Sequence, residues 1–167
     1  MHVLFVCTGN ICRSAYAELY ARHAFGGDLV FASAGTHAMP AWPMDEDMAA
    51  HLPAGVDVSG FRSRQVTKEH VAQADLVLAA TARHRKYLLD EVPREHAKLF
   101  TFGQAAAAAR AVGNGLPAGE AFGRLADRRG PASPRLDVDD PYGFGPDAAR
   151  VCAERLRADL DLILSLF

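Results

Sequence analysis

Four apolar residues, Val3-Leu4-Phe5-Val6, run straight into Cys7-Thr8-Gly9-Asn10-Ile11-Cys12-Arg13-Ser14, and an amphipathic helical pattern follows at once. This order constrains the fold more than anything else in the chain. A buried strand must hand over to a helix through a loop bracketed by a thiol and a guanidinium. Backbone N–H groups of such a loop, with the unsatisfied amides of the helix start, can converge on a tetrahedral oxyanion, and the helix dipole favours its charge. Gly9 and Asn10 suit the positive φ angles of a tightly curled loop.

Cys7 would lie at the floor of that cradle, where convergent donors and the charge of Arg13 favour its thiolate, the nucleophilic form. Arg13 offers a planar fork that can bind two phosphate oxygens at once, a geometry that lysine lacks. The five residues between Cys7 and Arg13 let the loop close once around a phosphate-sized anion. The Ser14 hydroxyl can donate to the sulfur and ease its departure as a leaving group. Thr8 to Ser14 are therefore the candidate phosphate-binding loop.

Ala17, Tyr20, Ala21 and Ala24 recur at helical spacing until Gly26-Gly27, and Leu29 to Ala32 read as a second strand. So short a strand, helix and strand imply a right-handed parallel crossover, with ligands at the carboxyl ends of the strands, where Cys7 stands. Asp45 to Leu52 reads as a short helix. Thr67 is a natural N-cap for a helix over Lys68 to Ala74, and Asp75 to Ala79 is a buried strand. A helix follows from Arg83 towards Val92. Its basic start, Arg83-His84-Arg85-Lys86, reads first as a solvated face and second as a dock for acidic phosphoprotein. Lys98 to Phe102 makes a fourth strand, Ala105 to Val112 a helix, and Ala118 to Arg129 an additional helix in a stretch, 104–136, punctuated by Gly and Pro. Pro146 suits a first helical turn, and Ala149, Cys152, Ala153, Leu156, Leu160, Ile163, Leu164 and Phe167 form an apolar stripe. Cys152 on that stripe reads as core.

The octet, Ala17-Glu18 after it, Ser33-Ala34-Gly35-Thr36, Ser63-Arg64-Gln65-Val66-Thr67 and Asp140-Pro141-Tyr142 resemble, in order, the segments of the low-molecular-weight protein tyrosine phosphatases of bacterial type. The resemblance implies an α/β fold: one domain over 1–167, a central four-stranded parallel sheet flanked by helices on both faces, and the phosphate loop between first strand and first helix. It implies hydrolysis of phosphotyrosine in proteins through a cysteinyl-phosphate. In that scheme Cys7 is the nucleophile, Arg13 holds the phosphate, and Asp140 is general acid and then base. Asn10 would hold the loop through side-chain bonds to its backbone. Cys12 would be a redox partner that captures oxidised Cys7 as a disulfide; otherwise it is a small side chain packed under the loop.

The resemblance places a substrate-cleft wall between His37 and Pro43. An ungapped count puts the usual aromatic position on Met39, while Trp42 stands nearby, either stacking on substrate or covering the core edge; Tyr142 is the third wall candidate. Two departures are Ala15, where relatives commonly carry proline, and Ala80, where many carry methionine. Neither removes chemistry, and alanine is a good helix former.

Composition bounds the rest. A net charge of −2 gives no basic excess, so no nucleic-acid partner is expected and any positive site must be local. Three cysteines argue against a disulfide framework and for a reducing compartment. With no basic leader at the start and Asp159 and Asp161 interrupting the apolar C-terminus, a cytoplasmic protein without membrane insertion is expected. Seven scattered histidines suggest neither metal nor cofactor. The expected partners are a tyrosine-phosphorylated protein as substrate and inorganic phosphate as product. Two other classes share the scaffold: an arsenate reductase using an external thiol, and a catalytically silent phosphoprotein-binding module.

Overall fold

In a computed structural model, which describes residues 1–113 and 115–167, four parallel strands form one sheet in the order β2-β1-β3-β4. They are β1 (His2–Cys7), β2 (Val30–Gly35), β3 (Leu76–Ala79) and β4 (Leu99–Thr101). Among the described residues the helices that connect and follow them are α1 (Arg13–Ala24), α2 (Glu46–Ala49), α3 (Lys68–Gln73), α4 (Ala82–Glu91), α5 (Phe102–Val112), α6 (Ala118–Asp127) and α7 (Pro146–Leu164). This is the single-domain, doubly wound α/β architecture expected of the sequence.

Period-2 alternation along β1 divides the interior into two layers. Val3, Phe5 and Cys7 face α1, α5 and α7, where Phe31, Phe100, Phe102 and the α7 stripe from Ala149 to Leu164 close the larger core. Leu4 and Val6 face the other way, joining Ala34, Val77 and Leu99 beneath Val71 of α3 and Leu88 of α4. Phe5 stacks on Phe31 and Phe102 at ring separations of 6.1 and 5.8 Å, so the strand that ends in Cys7 is clamped from within. Cys152 is buried in this core as read, and burial pushes its thiol up to about 12.

Several boundaries shift for local reasons. β2 continues through Ser33-Ala34-Gly35 because these residues pair with Phe5, Val6 and Cys7 across the ladder, so the segment is strand and not turn. β4 stops at Thr101, whose hydroxyl accepts from Gln104 N–H while the Gln104 side chain accepts from Thr101 N–H. That reciprocal cap starts α5 at Phe102, three residues before the expected Ala105. α2 is shorter than expected, capped by Asp45, whereas Thr67 caps α3 as read.

The basic start of α4 departs most from expectation. Arg83 and Lys86 face solvent, but His84 turns inward and is only 7% exposed. Among the described residues, no helix is long and apolar enough to cross a membrane.

Candidate active site

The loop between β1 and α1 lies at the carboxyl edge of the sheet, and Asn10 gives it its curl with φ of 57°. Gly9, also expected to need a positive φ, does not adopt one. The loop carbonyls are fixed from outside: Cys7 O accepts from Thr36 N–H, Thr8 O from His37 N–H and Ile11 O from Asp45 N–H. Among the described residues, the N–H groups of Thr8 to Cys12 donate to no protein acceptor. A stretch with several carbonyls tied back to the protein and its N–H donors left over is what an anion site requires.

The glycine that permits this curl is not in the octet. A Cβ on Gly35 would lie 2.4 Å from Thr8 O and 3.0 Å from Asn10 N, so the end of β2 must be glycine for the loop to pass over it. Gly103 plays the same part at the other edge, where a Cβ would meet Leu136 O at 2.3 Å, just before the loop that carries Asp140.

Beneath the loop a buried hydrogen-bond chain fixes the direction of each donor. The Asn10 carboxamide oxygen accepts from Arg64 N–H at 2.9 Å, which turns its NH₂ towards Ser14 Oγ (2.9 Å) and Ser33 Oγ (2.8 Å). Ser33 in turn donates to Glu18, a buried carboxylate also paired with Arg22 at 2.6 Å. Ser14 thus accepts a hydrogen bond from Asn10, which leaves its own hydroxyl hydrogen to donate to Cys7 Sγ at 3.0 Å or to Ala34 O at 3.5 Å. The contacts of Asn10 are these hydroxyls and Arg64, not the loop's own backbone.

Arg13 is 4% exposed. Its Nη1 donates to Val138 O at 3.1 Å, and its Nη2 meets Asp140 Oδ2 at 2.6 Å and Thr8 Oγ1 at 3.5 Å. Among the described residues its Nε–H is buried without a partner. Leaving such a donor unpaired is costly, so it fits a ligand acceptor. Cys12, the N-cap of α1, has its thiol held strongly protonated by burial first, then by the negative charge of Asp45, Cys7 and Asp140.

These groups surround a cavity of about 170 Å³ lined by Cys7, Thr8, Gly9, Ile11, Cys12, Arg13, His37, Met39, Asp140 and Tyr142. The walls are Ile11, Met39 and Tyr142; Trp42, the alternative wall, is 44% exposed and stands outside the lining. Its backbone is pinned to Ser63, which brings Met39 to the mouth instead. Of the three clustered aspartates, Asp137 accepts from Ala82 N–H at 2.7 Å and Asp139 is exposed outside this cavity, so Asp140 alone of the three lines it.

Two residues escaped the sequence reading. His84 bonds Thr8 Oγ1 through Nε2 and Thr81 Oγ1 through Nδ1, each at 2.8 Å, tying the phosphate loop to α4. Burial, then the charges of Arg13 and Arg83 and the nearby His37, lowers it to about 4, so it is neutral. His37 also lines the cavity. No motif marks either residue, since both depend on where separate loops meet.

A thiol under a donor-rich loop, a buried arginine and a carboxylate at the mouth, all at the carboxyl edge of a doubly wound sheet, are the groups that a phosphate-ester site requires. The family model for low molecular weight phosphotyrosine protein phosphatase matches residues 2–116. The low molecular weight protein-tyrosine-phosphatase Etp of Escherichia coli K12 is 37% identical over 105 residues, 61% of this chain and 69% of that one. The structure of a low molecular weight protein tyrosine phosphatase from T. tengcongensis covers 98% of this chain and 97% of its own at 31% identity, with a TM-score of 0.73. The YwlE arginine phosphatase of Geobacillus stearothermophilus covers 96% and 88% at 25% identity, with a TM-score of 0.74. The chain belongs to the low molecular weight phosphotyrosine protein phosphatase family and is a phosphatase.

Proposed function

We propose that this phosphatase hydrolyses phosphotyrosine in proteins through a cysteinyl-phosphate, with Asp140 as general acid and base. The observation that carries the reading is the unpaired Nε–H of Arg13, buried in the same cavity as Cys7 and beside loop N–H groups that lack protein acceptors.

The Cys7 thiolate attacks phosphorus; Arg13 and the loop amides hold the equatorial oxygens, and the P–O bond to tyrosine breaks. Phosphate displaces Asp140 from Arg13, and its negative charge beside the freed carboxyl favours the acid form, which protonates the departing phenolate. Water then attacks the cysteinyl-phosphate, giving a proton to the Asp140 carboxylate. The S–P bond breaks as Ser14 donates to the leaving thiolate, and inorganic phosphate is released.

Depth and wall chemistry support the aryl substrate. Cys7 is buried at 2% exposure, and the side chains around it, Ile11, Met39 and Tyr142, offer an aromatic ring apolar contact that a short phosphoserine stem would largely forgo. The likeness to an arginine phosphatase makes phosphoarginine the competing substrate. Its remaining guanidinium N–H groups would need acceptors, which Ile11 and Met39 give poorly, so the Tyr142 hydroxyl and the Asp140 carboxylate would have to supply them. Initial rates on phosphotyrosine, phosphoarginine and phosphoserine peptides of one sequence test this: preference for phosphotyrosine is expected, and preference for phosphoarginine overturns it.

The other classes fit less well. An arsenate reductase relaying oxidation inside the chain needs further reactive thiols, yet Cys152 is buried in the core. Steady arsenate reduction with a small external thiol, without phosphatase activity, would decide for that class. A silent binding module has no use for Asp140 in the cavity. The three cysteines are free, which suits a reducing compartment, and we place the enzyme in the cytoplasm.

A further inference from the structure

Beside the phosphate cavity lies a second one of about 490 Å³, and the two share Thr8, Arg13, His37 and Asp140 as a common wall. Its far side is the start of α4: Thr81, Arg83 and, one turn on, Tyr87. A helix start favours acidic residues, yet this one has none in its first turn and carries Arg83 and His84 instead. His84 is neutral and committed to Thr8 and Thr81, so Arg83 supplies the charge. Among the described residues, Arg83 makes no ion pair or side-chain hydrogen bond, although two carboxylates are near. Asp137 is held by Ala82 N–H at 2.7 Å and Asp140 by Arg13 at 2.6 Å. His37 contributes ring nitrogen at the shared wall, with its ring 5.7 Å from that of Tyr87.

We infer that this corner is a second anion subsite, in which Arg83 takes the oxyanion of a residue close in sequence to the phosphotyrosine, either the carboxylate of an acidic side chain or the phosphate of a second phosphorylated residue. The inference rests on the phosphatase reading, because the first cavity must hold the scissile phosphate. Three features join here. The two cavities adjoin across Thr8, Arg13, His37 and Asp140, so one peptide crossing that wall can reach both. The cation is unpaired and solvent-accessible, so binding breaks no existing contact. The α4 dipole adds to the guanidinium charge instead of opposing it. The subsite selects substrate and performs no chemistry.

The test compares kcat/KM for phosphotyrosine peptides whose neighbouring positions, on either side, carry alanine, glutamate, lysine or a second phosphotyrosine. Wild type and Arg83→Gln are run in parallel, with p-nitrophenyl phosphate as the substrate without neighbours. Wild type is expected to prefer glutamate over alanine about two- to fivefold, as partly exposed charge pairs give, to prefer a second phosphate by more, and to disfavour lysine. Arg83→Gln is expected to remove these preferences while leaving rates on the alanine peptide and p-nitrophenyl phosphate unchanged. A gain confined to the second phosphate assigns the subsite to phosphate, and a gain with both assigns it to oxyanions in general. Equal wild-type rates on all peptides, or preferences that survive in Arg83→Gln, overturn the subsite and leave the phosphatase reading intact. No hydrolysis of any substrate overturns both.

Discussion

Asp140 Oδ2 lies 2.6 Å from Arg13 Nη2, so the side chain proposed to deliver the proton rests on the one proposed to hold the phosphate. Asp140 is half exposed while Arg13 is buried, so the carboxylate is the partner with open space beside it. In the proposed mechanism an incoming phosphate would compete for the guanidinium and set the carboxyl free at the mouth.

Asp140→Ala is expected to slow hydrolysis of aryl phosphates with poor leaving groups by about 10²–10⁴-fold, and of good leaving groups much less, because only the former need a proton in the transition state. Asp139→Ala should behave as wild type. A plot of rate against leaving-group acidity for both variants checks this. The opposite pattern would move the assignment by one residue.

His84 links stability to pH. Its folded-state value is lowered to about 4, chiefly by burial, whereas the unfolded residue takes its proton near 6.5. The unfolded state therefore binds more protons between these values, and the contribution, fully present above about pH 6.5, is lost as pH falls towards 4. It is on the order of 3 kcal/mol at most. The fall in Tm from pH 7 to pH 4 should be shallower for His84→Asn than for wild type, and parallel curves would contradict the role.

Cys12 lines the same cavity as Cys7, and both are free thiols. Peroxide would oxidise Cys7 to a sulfenic acid, which the Cys12 thiol condenses to a disulfide with loss of water. Mild peroxide should therefore inactivate the enzyme, a dithiol should restore it, and bound phosphate should slow the loss. Cys12→Ser should keep most catalysis but recover poorly. Unchanged recovery, or no Cys7–Cys12 bridge by mass spectrometry, removes this role.

The parts of the site that were legible beforehand are those whose geometry is local. Cys7 to Ser14 form one loop, and Pro141 restrains Asp140, so a few adjacent residues carry the signal. The buried run of β1 and the stripe of α7 were readable for the same reason. What escaped depends on contacts far apart in sequence. Gly35 is required by the backbone of Thr8, and nothing beside it says so. His84 sits in a basic run that reads as solvated, and only the approach of Thr8, 76 residues away, gives it a buried partner. Trp42 outranks Met39 as a wall by residue type, but the Ser63 bonds decide which of them reaches the cavity. The early start of α5 follows from the Thr101–Gln104 cap, a pattern visible in the sequence that the apolar run through Phe102 obscured.

The proposed role of Cys7 as nucleophile is tested most directly by replacing it with serine and following p-nitrophenyl phosphate and a phosphotyrosine peptide. The protein should remain folded, since the change is nearly isosteric at the end of a clamped strand. Activity on both substrates is expected to fall to the detection limit while phosphate binding persists through Arg13 and the loop amides. Equal activity in Cys7→Ser and wild type would contradict the assignment of Cys7 and, with it, the cysteinyl-phosphate route.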